Sequence, residues 1–179
     1  MLHNQNNQIT FRIAQQADIS DIVSLVESAY RGASSFQGWT TEAAFIDGQR
    51  TDDKEVTELM SKSDSIFMLC YQSQQLTGSV QLERQKDKAY LGMFAVDPDI
   101  QGSGFGSSLL KQAESYARDE WDSKAMRMTV ITIRDELINW YLRQGYTATG
   151  IFKQFPYEEP RFGRPKRNDL MLEIYEKKI

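Results

Sequence analysis

A glycine-rich segment in the second half of the chain has the composition of a phosphate-binding turn. It reads Gln101-Gly102-Ser103-Gly104-Phe105-Gly106-Ser107. Glycines have no side chains to block a ligand, and three of them this close together let consecutive backbone N–H groups point at one phosphate group. A helix that begins directly after such a turn adds the positive end of its dipole. The segment therefore predicts a phosphorylated cofactor.

The residues on either side of this turn predict the strand and the helix that hold it in place. The preceding run, 90–96, is apolar at nearly every position, which is typical of a central strand covered on both faces. Pro98 ends that strand. After the turn, apolar residues recur at helical spacing, at Phe105, Leu109, Leu110, Ala113, Tyr116 and Ala117. The turn therefore joins a buried strand to an amphipathic helix.

The spacing of the glycines distinguishes between kinds of phosphate site. A dinucleotide-binding fingerprint needs G-x-G-x-x-G after an early strand, but here the third glycine comes one position too soon and the motif lies past mid-chain. A P-loop needs Gly-Lys-Ser or Gly-Lys-Thr, whereas Gly106 is followed by Ser107. The spacing therefore disfavours both kinds of nucleotide site, and a dinucleotide oxidoreductase remains as a remote alternative. A tight strand-to-helix turn without a ligand is the remaining structural alternative.

Residues 96–110 resemble motif A of the GNAT superfamily, the acetyl-CoA-dependent N-acetyltransferases. In that motif a Gln/Arg-x-x-Gly-x-Gly/Ala loop binds the pyrophosphate of CoA, and the match here begins at Gln101 and keeps Gly104 and Gly106. The resemblance implies acetyl-CoA as the co-substrate. The cofactor-binding residues that it implies are Phe94, Ala95, Val96, Gln101, Gly102, Ser103, Gly104, Phe105, Gly106, Ser107, Arg134 and Tyr141.

A second match lies in Trp140-Tyr141-Leu142-Arg143-Gln144-Gly145-Tyr146, which follows the motif B pattern Tyr-x-x-x-Gly-Phe/Tyr. Tyr141 takes the place of the family's usual general acid; the alternative is an aromatic side chain packed into the sheet. A phenol with a pKa of ~10 would protonate a thiolate of pKa ~8.5 uphill by roughly 2 kcal/mol, so hydrogen-bond donation to the leaving sulfur can suffice. Many members carry an asparagine seven positions before that tyrosine, where this chain has Arg134. Arg134 either binds CoA, through the pantetheine arm or a phosphate, or forms an ion pair with an acidic side chain.

The resemblance also implies the remaining parts of the chemistry. One backbone N–H group of Met93, Phe94 or Ala95 should polarise the thioester carbonyl. The attacking amine must lose a proton, and Glu83 is the candidate base. The alternative for Glu83 is a charge that faces solvent on its strand.

The acceptor side is the least specific part of the pattern. The candidate substrate-binding residues are Tyr30, Trp39, Glu42 and Arg161. Trp39 could form a substrate wall, with Glu42 or Asp47 holding a cationic amine, but a tryptophan at the core edge and a capping carboxylate explain these residues equally well. Arg161 belongs to a basic, proline-rich segment over 156–167, which either attracts an acidic substrate or is a solvated or dimer-contact loop.

Composition limits the other possibilities. The chain has 179 residues, 40% of them hydrophobic, and a formal net charge of −4, which predicts a single domain over 1–179 and argues against a nucleic-acid partner. Cys70 and His3 are the only residues of their types, so we expect no disulfide, no metal and a buried Cys70. No stretch is apolar enough to span a membrane, and 1–8 is polar rather than a signal sequence, so we expect a cytoplasmic protein without a membrane partner.

Taken in order, the periodicity predicts strands over 9–14, 65–71, 76–84, 90–96, 126–133, 146–152 and 169–175. Helices are expected from Asp18 or Ser20 to Tyr30, near 41–47, over 52–62, after Gly104 and around 137–142. The fold class is α/β (α+β) of the GNAT type, a mixed, mostly antiparallel sheet that splays after the fourth strand and is flanked by helices.

The implied function is transfer of an acetyl group to a primary amine of a small molecule or peptide, by direct attack in a ternary complex. The alternative is a catalytically silent acyl-CoA-binding regulatory module. The loop over 31–42 resembles an uncharacterised bacterial branch of the superfamily, which names no acceptor. A homodimer is possible.

Overall fold

The computed structural model describes residues 8–179, and of Phe162 the backbone only. His3 and most of the polar segment 1–8 lie outside the described residues. Seven strands form one sheet in the spatial order β1-β3-β4-β5-β6-β9-β7, and β2 pairs with β8 in a separate ribbon. The strands are β1 (Ile9–Ile13), β2 (Ile46–Asp47), β3 (Ser65–Gln72), β4 (Gln75–Gln85), β5 (Lys88–Val96), β6 (Ala125–Ile131), β7 (Thr147–Gln154), β8 (Arg164–Pro165) and β9 (Met171–Lys178).

Four α-helices connect these strands: α1 (Ile19–Tyr30), α2 (Asp53–Ser61), α3 (Phe105–Trp121) and α4 (Asp135–Arg143). Within the described part of the chain, only β5 and β6 pair in parallel, and α3 makes the crossover between them. Every other pair in the seven-stranded sheet is antiparallel. The mixed, mostly antiparallel sheet predicted from the sequence is therefore confirmed.

The sheet is covered on both faces, and β5 contributes to both cores. On one face, Leu91 packs in a cluster with Leu109 and Leu110 of α3. On the other, Met93 and Ala95 pack with residues of α1 and α2. This explains why 90–96 is apolar at nearly every position, since both faces of this strand pack against other elements.

The helix ends agree with the sequence in part. Asp52 caps α2, with its carboxylate accepting a hydrogen bond from the Glu55 N–H at 2.8 Å. Gly145, at φ +93°, follows the end of α4. Asp18 precedes α1 but makes no side-chain cap to it, because its carboxylate binds Arg12 at 2.7 Å and the Gln15 N–H at 2.7 Å.

The short helix predicted near 41–47 is wrong. Residues 43–45 form a turn, and β2 follows and pairs with β8 in the proline-rich segment. Hydrogen bonds from outside the segment hold it in this form, including those that the Lys166 N–H and the Lys166 ammonium donate to the Phe45 and Ala43 carbonyls. Contacts with a distant part of the chain thus replace local helical bonds.

The central strands separate where the site is built. β5 pairs with β6 only over Lys88–Tyr90, opposite Ala125–Arg127, and the two strands diverge beyond that point. A bulge adds to the divergence, because Met93 and Phe94 together stand opposite Val80 of β4, between the Ser79–Ala95 and Gln81–Gly92 pairs. Met93 has φ +43°, an uncommon backbone conformation for a residue with a side chain.

Candidate functional site

The glycine turn adopts a backbone that only glycine takes readily. Gly102 and Gly104 have φ of +86° and +89°, and a Cβ atom added to either would meet no atom within 4 Å. Glycine is therefore required by backbone conformation rather than by crowding, and the turn is open on its outer face. The N–H groups of the first turn of α3 have no acceptor within the helix, so they are available to an anion.

A cavity of about 320 Å³ opens beside this turn, and we call it the turn cavity. Its aromatic wall includes Phe94 and Trp140, whose rings lie 5.8 Å apart, and Trp39, 6.2 Å from Trp140. Arg134 and Arg143 are its two charged residues, so its charge suits an anionic ligand. It is lined by Tyr30, Trp39, Thr40, Phe94, Val96, Gln101, Gly102, Gly104, Gly106, Ser107, Arg134, Leu137, Trp140, Tyr141 and Arg143.

A second cavity, of about 420 Å³, lies between the diverging strands, and we call it the arginine cavity after Arg31, Arg50 and Arg134 in its wall. Its other lining residues come mainly from β5, β6 and the start of the proline-rich segment. The two cavities share five residues: Tyr30, Phe94, Arg134, Leu137 and Tyr141. They therefore meet at the bulge of β5 and the inner face of α4.

Tyr141 lies at this junction, on α4, and is 4% exposed. Its ring stacks edge-on against Trp140 and Tyr146, with centroid distances of 4.9 and 5.6 Å, so its position is fixed. Burial, followed by the neighbouring Tyr30 phenol, raises the pKa of Tyr141 well above its ordinary value. The phenol is therefore neutral and can donate a hydrogen bond at any pH at which the protein would work.

Tyr30 holds the wall opposite Tyr141. Its hydroxyl donates a hydrogen bond to the Phe94 carbonyl at 2.9 Å, which ties α1 to the bulge of β5. The guanidinium groups of Arg50 and Arg134 lie over its ring, at 5.5 and 5.6 Å from the centroid. Tyr30 thus positions both the backbone of the bulge and two of the cationic side chains.

Glu42 is buried between two arginines. Its carboxylate accepts hydrogen bonds from Arg31 and from Arg134, the latter at 2.8 Å, and the three side chains are 8%, 5% and 9% exposed respectively. Burial alone would raise the pKa of Glu42, but the charges of Arg134, Arg31 and Arg50 outweigh it and lower the pKa. Glu42 is therefore an ionised, fully engaged carboxylate and a weak base.

Arg134, which replaces the asparagine of many GNAT members, bridges the two sides of the site. Besides Glu42, it donates a hydrogen bond to the Thr40 carbonyl. Gln101 reaches the same loop, because its amide nitrogen donates to the Thr40 hydroxyl at 2.8 Å and its amide oxygen accepts from the Trp39 N–H at 2.9 Å. The loop of Trp39 is thus attached to both the glycine turn and α4.

Several predicted residues lie apart from this junction. Ala95 and Phe105 are buried in the two cores, so only their backbones can face a ligand, and Ser103 is exposed without lining either cavity. Glu83 lines neither cavity; it pairs with Lys62 at 3.3 Å, and hydrogen bonds, the strongest from Gln85, lower its pKa. Arg161 is exposed beside Glu159, also outside both cavities.

Sequence reasoning missed three cationic residues of the site: Arg31, Arg50 and Lys153, all of which line the arginine cavity. Arg31 follows α1, Arg50 precedes α2 and Lys153 lies near the end of β7, so no local sequence spacing connects them. Among the described residues no group of three or more histidine, cysteine, aspartate and glutamate side chains is placed to hold a metal ion. Cys70 is buried, as expected.

Comparison with known proteins decides the family. The family model described as "Acetyltransferase (GNAT) family" matches residues 27–146, which include the turn, α3 and α4. The chain belongs to the GNAT acetyltransferase family. As a member it is an acetyltransferase, and the family's donor is acetyl-CoA. No curated protein sequence matches it.

Solved structures show the same GNAT fold. The ribosomal-protein-S18-alanine N-acetyltransferase of Escherichia coli has 15% identity and a TM-score of 0.71, with 96% of this chain and 94% of that chain covered. An N-acetyltransferase of Staphylococcus aureus Mu50 has 14% identity and a TM-score of 0.72, with 96% and 97% covered. The spermidine N-acetyltransferase of Vibrio cholerae, in complex with CoA and spermine, has 17% identity and a TM-score of 0.68, with 96% and 95% covered.

Proposed function

We propose that this GNAT protein transfers the acetyl group of acetyl-CoA directly to a primary amine in a ternary complex, without a covalent enzyme intermediate. The observation that carries the proposal is the meeting of two cavities at Phe94 and Tyr141, one of them beside the glycine turn. Two substrates that enter from opposite sides can thus react at one point.

The residues of the turn cavity fit acetyl-CoA. The open face over Gly102 and Gly104 leaves room for a pyrophosphate beside the N–H groups that begin α3, and Arg143 adds positive charge. The pantetheine arm would follow the free edge of β5, beside Val96. When bound, acetyl-CoA supplies the activated acetyl group and a thiolate leaving group.

Two groups of the chain would assist the transfer. An N–H group of the bulge, from Met93, Phe94 or Ala95, would donate to the carbonyl oxygen that gains negative charge. The amine nitrogen forms a bond to the carbonyl carbon while the C–S bond breaks and the sulfur takes the electron pair. Tyr141 would donate a hydrogen bond to that sulfur. A protonated amine and acetyl-CoA give an amide, CoA thiol and one released proton.

Water, rather than a carboxylate, would remove the first proton from the amine. Among residues 8–179, Glu42 is the one carboxylate in the lining of the two cavities, and it is paired with two arginines. Glu83 remains a candidate only if it acts through a chain of water molecules, because it lies outside both cavities. A water path through the arginine cavity needs no ionised base.

The remaining features of the proposal concern cellular context. We propose action in the cytoplasm on a small-molecule or peptide amine, with no nucleic-acid or membrane partner. No helix within residues 8–179 has the length and hydropathy needed to cross a membrane. The chain acts as a monomer or as a homodimer.

Calorimetric titration with acetyl-CoA, CoA and NAD tests the donor site without knowledge of the acceptor. We expect one-site binding of acetyl-CoA and CoA, no binding of NAD, and loss of binding in Gly104→Asp. The matched control is Gly150→Asp, since Gly150 also has positive φ, of +72°, and open surroundings but lies in β7, outside both cavities. Equal losses in the two variants would refute the phosphate role of the turn. Acetyl-CoA binding without turnover on any amine would favour the regulatory-module alternative.

A further inference from the structure

The arginine cavity has an unusual charge for an acidic protein. Its lining carries four cationic side chains, Arg31, Arg50, Arg134 and Lys153, and one carboxylate, Glu42, which leaves a net charge of +3. The whole chain has a formal net charge of −4. A concave site of one sign raises the local concentration of ligands of the opposite sign.

The structure neutralises only part of this charge. Glu42 is engaged by Arg31 and Arg134, whereas neither Arg50 nor Lys153 forms an ion pair with a carboxylate among the described residues. The Nη1 atom of Arg50 is buried without a hydrogen-bond acceptor in the same part of the chain. Arg50 as a whole is half-buried, but this donor atom is shielded from water. A buried donor without an acceptor is costly, and a ligand that supplies an anionic acceptor recovers that cost.

The unpaired charge lies close to the place of reaction. The Arg50 guanidinium lies over the ring of Tyr30, and the hydroxyl of the same Tyr30 bonds the Phe94 carbonyl at the junction of the cavities. One small molecule can therefore contact Arg50 with one end and reach the bulge of β5 with the other.

We infer that the acceptor is an amine that also carries a carboxylate, and that Arg50 binds this carboxylate in the arginine cavity. The inference rests on the proposed acetyl transfer and adds the substrate class. The carboxylate pairs with the guanidinium in the manner that arginine favours, by planar, charge-assisted hydrogen bonds. The amine end then faces the junction.

The same charges exclude polycations. A polyamine such as spermidine carries a positive charge on each amine at neutral pH and has no anion to offer Arg50. Its binding would add like charges to a cavity already at +3. The spermidine acetyltransferase of Vibrio cholerae shares the fold at 17% identity, and we do not expect its substrate to be accepted here.

The test compares amines that carry a carboxylate with amines that do not. Lysine and β-alanine are each paired with their amides, and spermidine is the polycation, with release of CoA thiol as the readout. We expect kcat/KM for each acid to exceed that for its amide by at least tenfold, and the ratio to fall as salt is added. Equal rates for acid and amide, or spermidine as the best acceptor, would overturn the inference while leaving acetyl transfer intact.

A variant assigns the effect to Arg50. Arg50→Gln should reduce the acid-to-amide ratio at least tenfold and leave acetyl-CoA affinity close to that of the wild type. The matched control is Arg84→Gln, which removes the same charge from an exposed strand position outside both cavities. An unchanged ratio in Arg50→Gln would refute the role of this residue.

A binding measurement separates this inference from the proposed function. Calorimetric titration of the CoA complex with N-acetyl-lysine and N-acetyl-lysinamide, as product-like ligands, needs no turnover. Preference for the acid without acetylation of any amine would support the anion site and contradict the enzymatic proposal. Absence of both turnover and carboxylate binding would overturn the inference.

Discussion

Substitution of Glu42 by glutamine should destabilise the fold strongly. Glu42 is 6% exposed and balances Arg31 and Arg134, which are buried with it. Removal of one partner of a buried ion pair costs about 3–5 kcal/mol, and we take the lower end, about 3 kcal/mol, because the glutamine amide oxygen can still accept one hydrogen bond. For a chain of this size that corresponds to a fall in the thermal midpoint of about 6–12 °C.

The measurement is urea and thermal unfolding of Glu42→Gln beside Asp119→Asn as control. Asp119 also pairs with an arginine, Arg118, at 2.8 Å, but its side chain is 59% exposed, so the control should unfold like the wild type. Glutamine has nearly the same volume as glutamate, so Glu42→Gln removes the negative charge beside Arg31 and Arg134 and leaves the packing nearly unchanged. Similar midpoints for the two variants would refute the argument that Glu42 balances the buried charges of Arg31 and Arg134.

Acid titration provides a second test of the same reasoning. The pKa of Glu42 is lowered in the fold, so its ionisation contributes stability that is fully present above the unfolded value of about 4.3. That contribution is lost as the pH falls through the lower, folded-state pKa. The wild type should therefore lose more stability than Glu42→Gln when the pH is reduced below about 4. Parallel curves would show that the fold does not lower the pKa of Glu42.

Two further predictions concern catalysis. Tyr141→Phe should lower kcat by roughly 10- to 150-fold without a change in acetyl-CoA affinity, because a hydrogen bond to a charged group contributes about 1.5–3 kcal/mol. Steady-state kinetics would measure kcat, and calorimetry would measure the affinity. An unchanged kcat would remove Tyr141 from the mechanism. The pH profile of kcat/KM should rise up to the pKa of the acceptor amine and show no enzyme group that titrates near neutrality, since the pKa of Tyr141 is raised and that of Glu42 is lowered. A break that stays at one pH when the amine is changed would instead indicate a base in the protein.

The donor side could be predicted from the sequence because its signals are local. The strand before the turn, the glycines and the amphipathic helix after it are contiguous, and β5, α3 and β6 form the parallel unit that this order favours. Gly104 also takes the positive φ that its residue type predicts. Residues that reach the turn cavity from segments far away in sequence, such as Thr40, had no local pattern that predicted their position.

The arginine cavity could be predicted only in part, because most of its residues meet only in the fold. The sequence analysis named Tyr30 and Glu42, which both line it. The pairing of Glu42 with Arg134 had no local signal, since the two residues are 92 positions apart. Arg50 and Lys153 come from a loop and from the end of β7. The helix predicted near 41–47 failed for the same reason, since long-range hydrogen bonds set that backbone.

The contact between Gln101 and the Trp39 loop limits how this protein can change over evolution. A Cβ atom on Gly38 would lie 2.5 Å from the Gln101 amide oxygen, so position 38 must be glycine while Gln101 holds this place. An exchange of the loop alone would remove the Thr40 hydroxyl and displace the Trp39 backbone N–H, and both of these groups bond the Gln101 amide. The loop and the glycine turn are therefore coupled in sequence, and we expect related proteins that replace the loop to change positions 38 and 101 together.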